Sequence, residues 1–65
     1  MIDKPFVGQR VIYVPSHANG DINHKDAEHG VVKDIVNSTC VRVNYIRNGI
    51  LQKASQLTRN KFLYT

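Results

Sequence analysis

Apolar and polar positions alternate most clearly in the segment CVRVNYI, where Val41, Val43 and Tyr45 are separated by Arg42 and Asn44. A period of two is that of a strand with one face buried and the other wet, so a strand is predicted here. Upstream, QRVIYV and GVVKDIV are apolar, β-branched and bounded by Gly or Pro. They read as strands covered on both faces or bordering a barrel seam. The turn Asn37-Ser38-Thr39 joins the second of these to the Val41 strand. Arg47-Asn48-Gly49 sets Asn-Gly where a two-residue hairpin needs positive φ, so Ile50 to Ala54 is predicted to return antiparallel. In ASQLTRNKFLYT the pattern predicts a tight turn around Ala54 to Leu57, then a last short strand. There Phe62, Leu63 and Tyr64 close a barrel end or cover an edge.

Four or five short strands, a long polar loop after the first and tight hairpins later predict an all-β fold, a small SH3-like barrel. An open four-stranded sheet that dimerises is the other architecture this pattern allows. The rhythm G-x-R-V, G-V-V, V-x-V-x-Y and A-x-x-L resembles small-barrel modules such as KOW and Tudor domains. A chain of 65 residues has room for one core, so residues 1–65 are expected to form a single domain. Folding alone is marginal at this size, and a homodimer interface or a bound partner would support it.

Charge is unevenly placed. The first 34 residues carry four basic and five acidic side chains, whereas residues 35–65 carry Arg42, Arg47, Lys53, Arg59 and Lys61 with no acid. That asymmetry points to an anionic partner, the alternative being a solvated surface that keeps a small protein soluble. The single Cys40 excludes an internal disulfide and fits a reducing compartment. No apolar run approaches the roughly 18 residues of a membrane span, and the start MIDKPFVG lacks the features of a secretory signal. A soluble, cytoplasmic protein without membrane contact is therefore expected.

The longest excursion, PSHANGDINHKDAEH from Pro15 to His29, contains all three histidines and Asp21, Asp26 and Glu28. Ala18-Asn19-Gly20-Asp21 offers a turn, and Asn23 to Asp26 reads as an N-cap with an acidic N3 residue. Gly30 then ends a single helical turn on which His24 and Glu28 share a face. Neutral imidazoles and carboxylates are zinc ligands, but H-x6-H-x4-H matches no standard zinc framework, so no metal ligand or cofactor is assigned. Metal binding stays a lesser alternative. The favoured reading is a structural cluster of His17, Gly20, Asp21, His24, Asp26 and Glu28, hydrogen-bonded to backbone and to one another. On that reading His24→Ala or Asp21→Ala lowers stability by roughly 1 to 3 kcal/mol through unpaired buried partners. Ser16, His24 and Asp26 could imitate a hydrolase set, but no nucleophile elbow or phosphate-cradling glycine loop accompanies them, so no enzyme is expected. Cys40 starts a strand and reads as a small buried thiol rather than a nucleophile.

The run GQRVIYVPSHANGDINHKDAEHGVV resembles a group of short proteins of tailed phages, prophages and bacteria that share G-x-R-V-x-Y-x-P-x-H-A-x-G-D-x-x-H-x-D-x-E-x-G-x-V. The resemblance covers Gly8 to Val32, with a looser continuation through Val41, Val43 and Tyr45 to Leu57. Members often have Cys at the place of Ala27 and Pro at that of Lys25, which weakens the idea that a thiol there is a required metal ligand. The resemblance implies a phage-type accessory factor and carries no catalytic or binding role onto any residue.

The function these readings favour is a non-enzymatic binding module that meets nucleic acid, or a nucleic-acid-handling complex, through Arg42, Arg47, Lys53, Arg59 and Lys61. These side chains would contact phosphates without reading bases. Tyr45 is expected in the core before it is expected to stack on a base. The alternative is a protein-interaction factor, an inhibitor or adaptor of a host or phage enzyme, using an edge strand, the Pro15 to His29 loop and the apolar C-terminus.

Overall fold

A computed structural model describes residues 1–65. Its strands are β1 (Arg10–Tyr13), β2 (Glu28–Ile35), β3 (Cys40–Arg47), β4 (Ile50–Arg59) and β5 (Leu63–Tyr64). All pair antiparallel in one sheet of order β4-β3-β2-β1-β5. One-turn 3-10 helices lie at Ser16–Ala18 and Asn60–Phe62, and there is no α-helix. The fold is all-β, as the alternation of apolar positions requires. The sheet stays open: β4 and β5 are its edges, and no ladder joins them.

Two turns follow directly from their residues. Asn48 and Gly49 take φ of 54° and 77°, which lets Arg47 pair with Ile50 across a two-residue connection. Between β2 and β3 the Asn37 carboxamide oxygen accepts the backbone N–H groups of Thr39 and Cys40, each at 2.9 Å. A short polar side chain here substitutes for the ladder that the chain leaves.

Other segments depart from the pattern-based expectation. No turn interrupts Ala54 to Leu57, because β4 runs unbroken to Arg59. Instead the ladder steps from Ile46↔Leu51 to Asn44↔Ser55, so that Gln52, Lys53 and Ala54 stand opposite Tyr45 alone. Asn44 holds this bulge, its side-chain amide donating to the carbonyls of Gln52 at 3.0 Å and Lys53 at 3.2 Å. Gly30 ends no helical turn; it lies inside β2, paired with Val11 and Tyr45. A Cβ at Gly30 would come within 2.6 Å of Val43 Cγ1, 2.9 Å of the Asn44 carbonyl oxygen and 3.2 Å of the Tyr45 ring, so the glycine makes room for β3 to approach. Nor are the first two apolar strands covered on both sides, since Arg10, Lys33 and Asp34 are exposed.

Cross-strand partners share a face, and the inner face collects Val11, Val32, Val41, Val43, Tyr45 and Leu63, joined by Ile2 from the N-terminal segment. The C-terminal apolar triplet covers the edge of β1. Leu63 is fully buried opposite Tyr13, and the Phe62 carbonyl accepts the Val14 N–H at 2.8 Å. The segment between β4 and β5 is tied down at Asn60, whose N–H donates to the Thr39 carbonyl at 2.8 Å and whose carbonyl accepts the Ile2 N–H at 3.4 Å. No helix is long and apolar enough to cross a membrane.

Candidate functional site

Period two along β3 continues past Tyr45, so Arg47 falls on the same inner face as Val41 and Val43. There the Arg47 Nε donates to Glu28 Oε1 at 3.1 Å, on the strand beside it. Glu28 in turn pairs with Tyr13 on β1. The inner face thus changes from a sealed core into an open cleft of about 440 Å³, lined chiefly by Tyr13, Phe62, Glu28, Arg47, Gln56 and Arg59. Tyr13 and Phe62 are half-buried and meet edge to face at 6.1 Å, and Tyr13 packs on Tyr45 in the same manner at 6.2 Å. The Lys61 ammonium stands 5.1 Å from the Phe62 ring centre.

Tyr45 is part of the floor rather than the opening. It is 5 % exposed, and its hydroxyl bonds to the Thr58 hydroxyl at 2.8 Å. Burial pushes the phenol above its ordinary value near 10; the Thr58 bond opposes that rise, Glu28 and Tyr13 add to it, and Arg47 opposes it. The ring is a core ring first, as its alternation with Val41 and Val43 implies.

The five basic residues do not form one face. Arg47 and Arg59 border the cleft, with Lys61 beside it over Phe62. Arg59 and Lys61 also line a second depression of about 370 Å³ with Met1, Asp3, Ser38 and Thr39. Arg42 sits on the opposite face of the sheet, in register with Asp34 and Leu57, and Lys53 lies in the β4 bulge. Tyr13 and Gln56, which the sequence did not single out, complete the cleft with Phe62, which it assigned to closing a barrel end or covering an edge. For Tyr13 the signal was present, two residues beyond the buried Val11 on one strand.

The histidine loop leaves and re-enters the sheet at the Tyr13↔Glu28 pair. It is built from successive tight turns: Asn19 N–H to Ser16 O at 3.2 Å, His24 N–H to Asp21 O at 3.0 Å and Ala27 N–H to His24 O at 3.0 Å. Asn19 and Gly20 both take positive φ, and Asp21 Oδ1 accepts the Asn23 N–H at 2.9 Å. These turns bring His17 Nε2 to 2.7 Å from Asp26 Oδ2, with His24 Nδ1 at 3.9 Å from the same oxygen. The Asp26 N–H donates to His24 Nδ1 at 3.0 Å, and the two imidazole rings meet edge to face at 5.4 Å. His17, His24 and Asp26 therefore form the cluster. Asp21 serves its own turn, Glu28 pairs with Arg47 instead of His24, and His29 is an exposed residue of β2. The partners of Asp21 and His24, the Asn23 and Asp26 N–H groups, are bonded at exposed positions, which removes the premise of buried partners behind a cost of roughly 1 to 3 kcal/mol for substituting either side chain.

Comparison of the chain with known protein families, with curated proteins and with solved structures gave no match.

Proposed function

We propose that this chain is a small non-enzymatic accessory binding module of the phage or prophage type, of SH3-like architecture, that holds single-stranded nucleic acid in the Tyr13–Phe62 cleft. The architecture is supported by the five-strand order and by the one-turn helix Asn60–Phe62, which carries the chain from one edge of the sheet to the other. One observation supports the ligand above all: half-buried Tyr13 and Phe62 line the same cleft as two arginines. Rings of this kind stack on bases whatever their identity, and guanidinium groups beside them meet the phosphates. Arg59 makes no ion pair, and Arg47 commits only Nε to Glu28. Both retain donors for a phosphate.

Fluorescence anisotropy with a labelled oligo(dT) 12-mer at low salt tests this reading. Binding is expected to weaken with rising salt by about 0.7 in log K per log unit of salt for each phosphate contacted. Arg59→Glu and Phe62→Ala should each weaken it at least tenfold, whereas Arg42→Glu, on the other face, should change it little. Absence of binding at low salt, or binding indifferent to Arg59→Glu, would refute the proposal.

A second reading, a protein-interaction factor acting on a host or phage enzyme, is supported by β4. Its ten residues form a sheet edge, and Ile50, Leu51 and Leu57 along it are exposed. Backbone groups along such an edge can pair with a partner strand. Capture of one discrete protein, lost on Leu51→Lys but kept on Arg59→Glu, would favour this reading over the first.

A further inference from the structure

We infer that His17, His24 and Asp26 form a binding site for a divalent transition-metal ion, with Zn²⁺ as the reference ion. The three donor atoms, His17 Nε2, His24 Nδ1 and Asp26 Oδ2, all lie within 4.8 Å of one another. Zinc bonds of 2.0 to 2.1 Å at tetrahedral angles set ligand atoms about 3.3 Å apart. The two separations to Asp26, 2.7 and 3.9 Å, fall on either side of that value. Shifts of about half an ångström in the exposed His17 and Asp26 side chains and the half-buried His24 bring both to it.

The loop delivers these donors in a fixed arrangement. His17 comes from the one-turn helix Ser16–Ala18, whose Ala18 is buried and anchors it. His24 and Asp26 come from the turn closed by the Ala27 N–H on the His24 carbonyl. Ordering of the ligands is thus largely achieved by backbone bonds before an ion arrives, which lowers the entropy lost on binding.

The ion competes with two hydrogen bonds, both at exposed positions. The Asp26 N–H must leave His24 Nδ1. At this exposed position water can accept from it. His17 must present a lone pair at Nε2, which a neutral ring does by carrying its proton on Nδ1, an atom with no protein partner in this fold. Two imidazoles and one carboxylate suit zinc, nickel, cobalt or copper, while magnesium and calcium prefer all-oxygen shells. Three protein ligands at an open surface leave at least one position to water or to an incoming ligand.

The site is independent of the nucleic-acid reading, and its test uses the metal alone. Isothermal titration of the untagged chain with ZnCl₂ in a non-coordinating buffer should show one saturable site per chain. His17→Ala, His24→Ala and Asp26→Asn should each weaken it at least tenfold, and His29→Ala should leave it within twofold. Bound Co²⁺ should give visible d–d bands that the same three substitutions abolish. Circular dichroism of each variant should match the parent. Should any alanine variant lose its fold, His17→Gln and His24→Gln give the same comparison. Lack of saturable uptake, or uptake that survives loss of both loop imidazoles, would overturn the inference.

Discussion

Two hydrogen bonds of nearly equal length stand in two different regions of this small protein. His17 to Asp26 spans 2.7 Å in the loop, and Tyr45 to Thr58 spans 2.8 Å beneath the sheet. Their surroundings differ completely. The loop pair lies in water, its side chains 62 % and 46 % exposed, whereas Tyr45 and Thr58 are both buried. Water competes for the first pair and supplies substitutes when either partner is removed, while a buried hydroxyl deprived of its partner bears the full desolvation penalty. Length therefore says little about what either bond contributes. The loop keeps its shape through tight turns, with Asp21 and His24 bonded to loop N–H groups; the sheet keeps its shape through burial.

Substitutions should separate the two regions, and the largest effects belong to the sheet. Leu63→Ala, at a fully buried position, should lower unfolding free energy by about 3 kcal/mol, read from urea denaturation. Gly30→Ala should cost about 2 kcal/mol, because its methyl meets Val43 and the Tyr45 ring and the packed face must shift. Tyr45→Phe should cost about 1 kcal/mol, since Thr58 then keeps only a long contact of 3.4 Å to the Gln56 carbonyl. This third substitution has a pH signature as well. The folded pKa of Tyr45 lies above the unfolded one, so the associated stability is complete below about pH 10 and is lost as pH climbs through the folded value. Melting temperatures across pH 9 to 12 should fall less steeply for Tyr45→Phe than for the parent. Smallest of all, Asp26→Asn without added metal should change stability by less than about 0.5 kcal/mol. A loss above 1 kcal/mol there would erase the contrast between loop and sheet.

Much of the sheet was legible because its signals are local or periodic. Alternation through Val41, Val43 and Tyr45 identified the buried face of β3, and Asn48-Gly49 identified the hairpin, since each depends on a few adjacent residues. The β4 bulge was not legible. Ala54 to Leu57 looks like a turn until the Asn44 amide, from the neighbouring strand, is seen holding the carbonyls of Gln52 and Lys53. Gly30 misled for a similar reason: a glycine after polar residues resembles a helix end, and only the close approach of β3, through Val43, the Asn44 carbonyl and the Tyr45 ring, explains it. At the candidate site the basic residues could be enumerated from sequence but not grouped, because the face each occupies depends on strand register. Ligand spacing along the chain also failed to anticipate the His17–His24–Asp26 arrangement, since three tight turns shorten the path between residues that are far apart in sequence.

The loop departs from Tyr13 and returns at Glu28, two residues already paired across neighbouring strands. Beyond buried Val14 and Ala18, the segment between them is from the sheet's side a connector whose span is set by that pair. Doubling the length of such a connector costs only about 0.6 kcal/mol in closure entropy. The exposed stretch Asp21 to Asn23 is then the place where peptide can be inserted, or a fluorescent or affinity tag carried, with the five strands left in register.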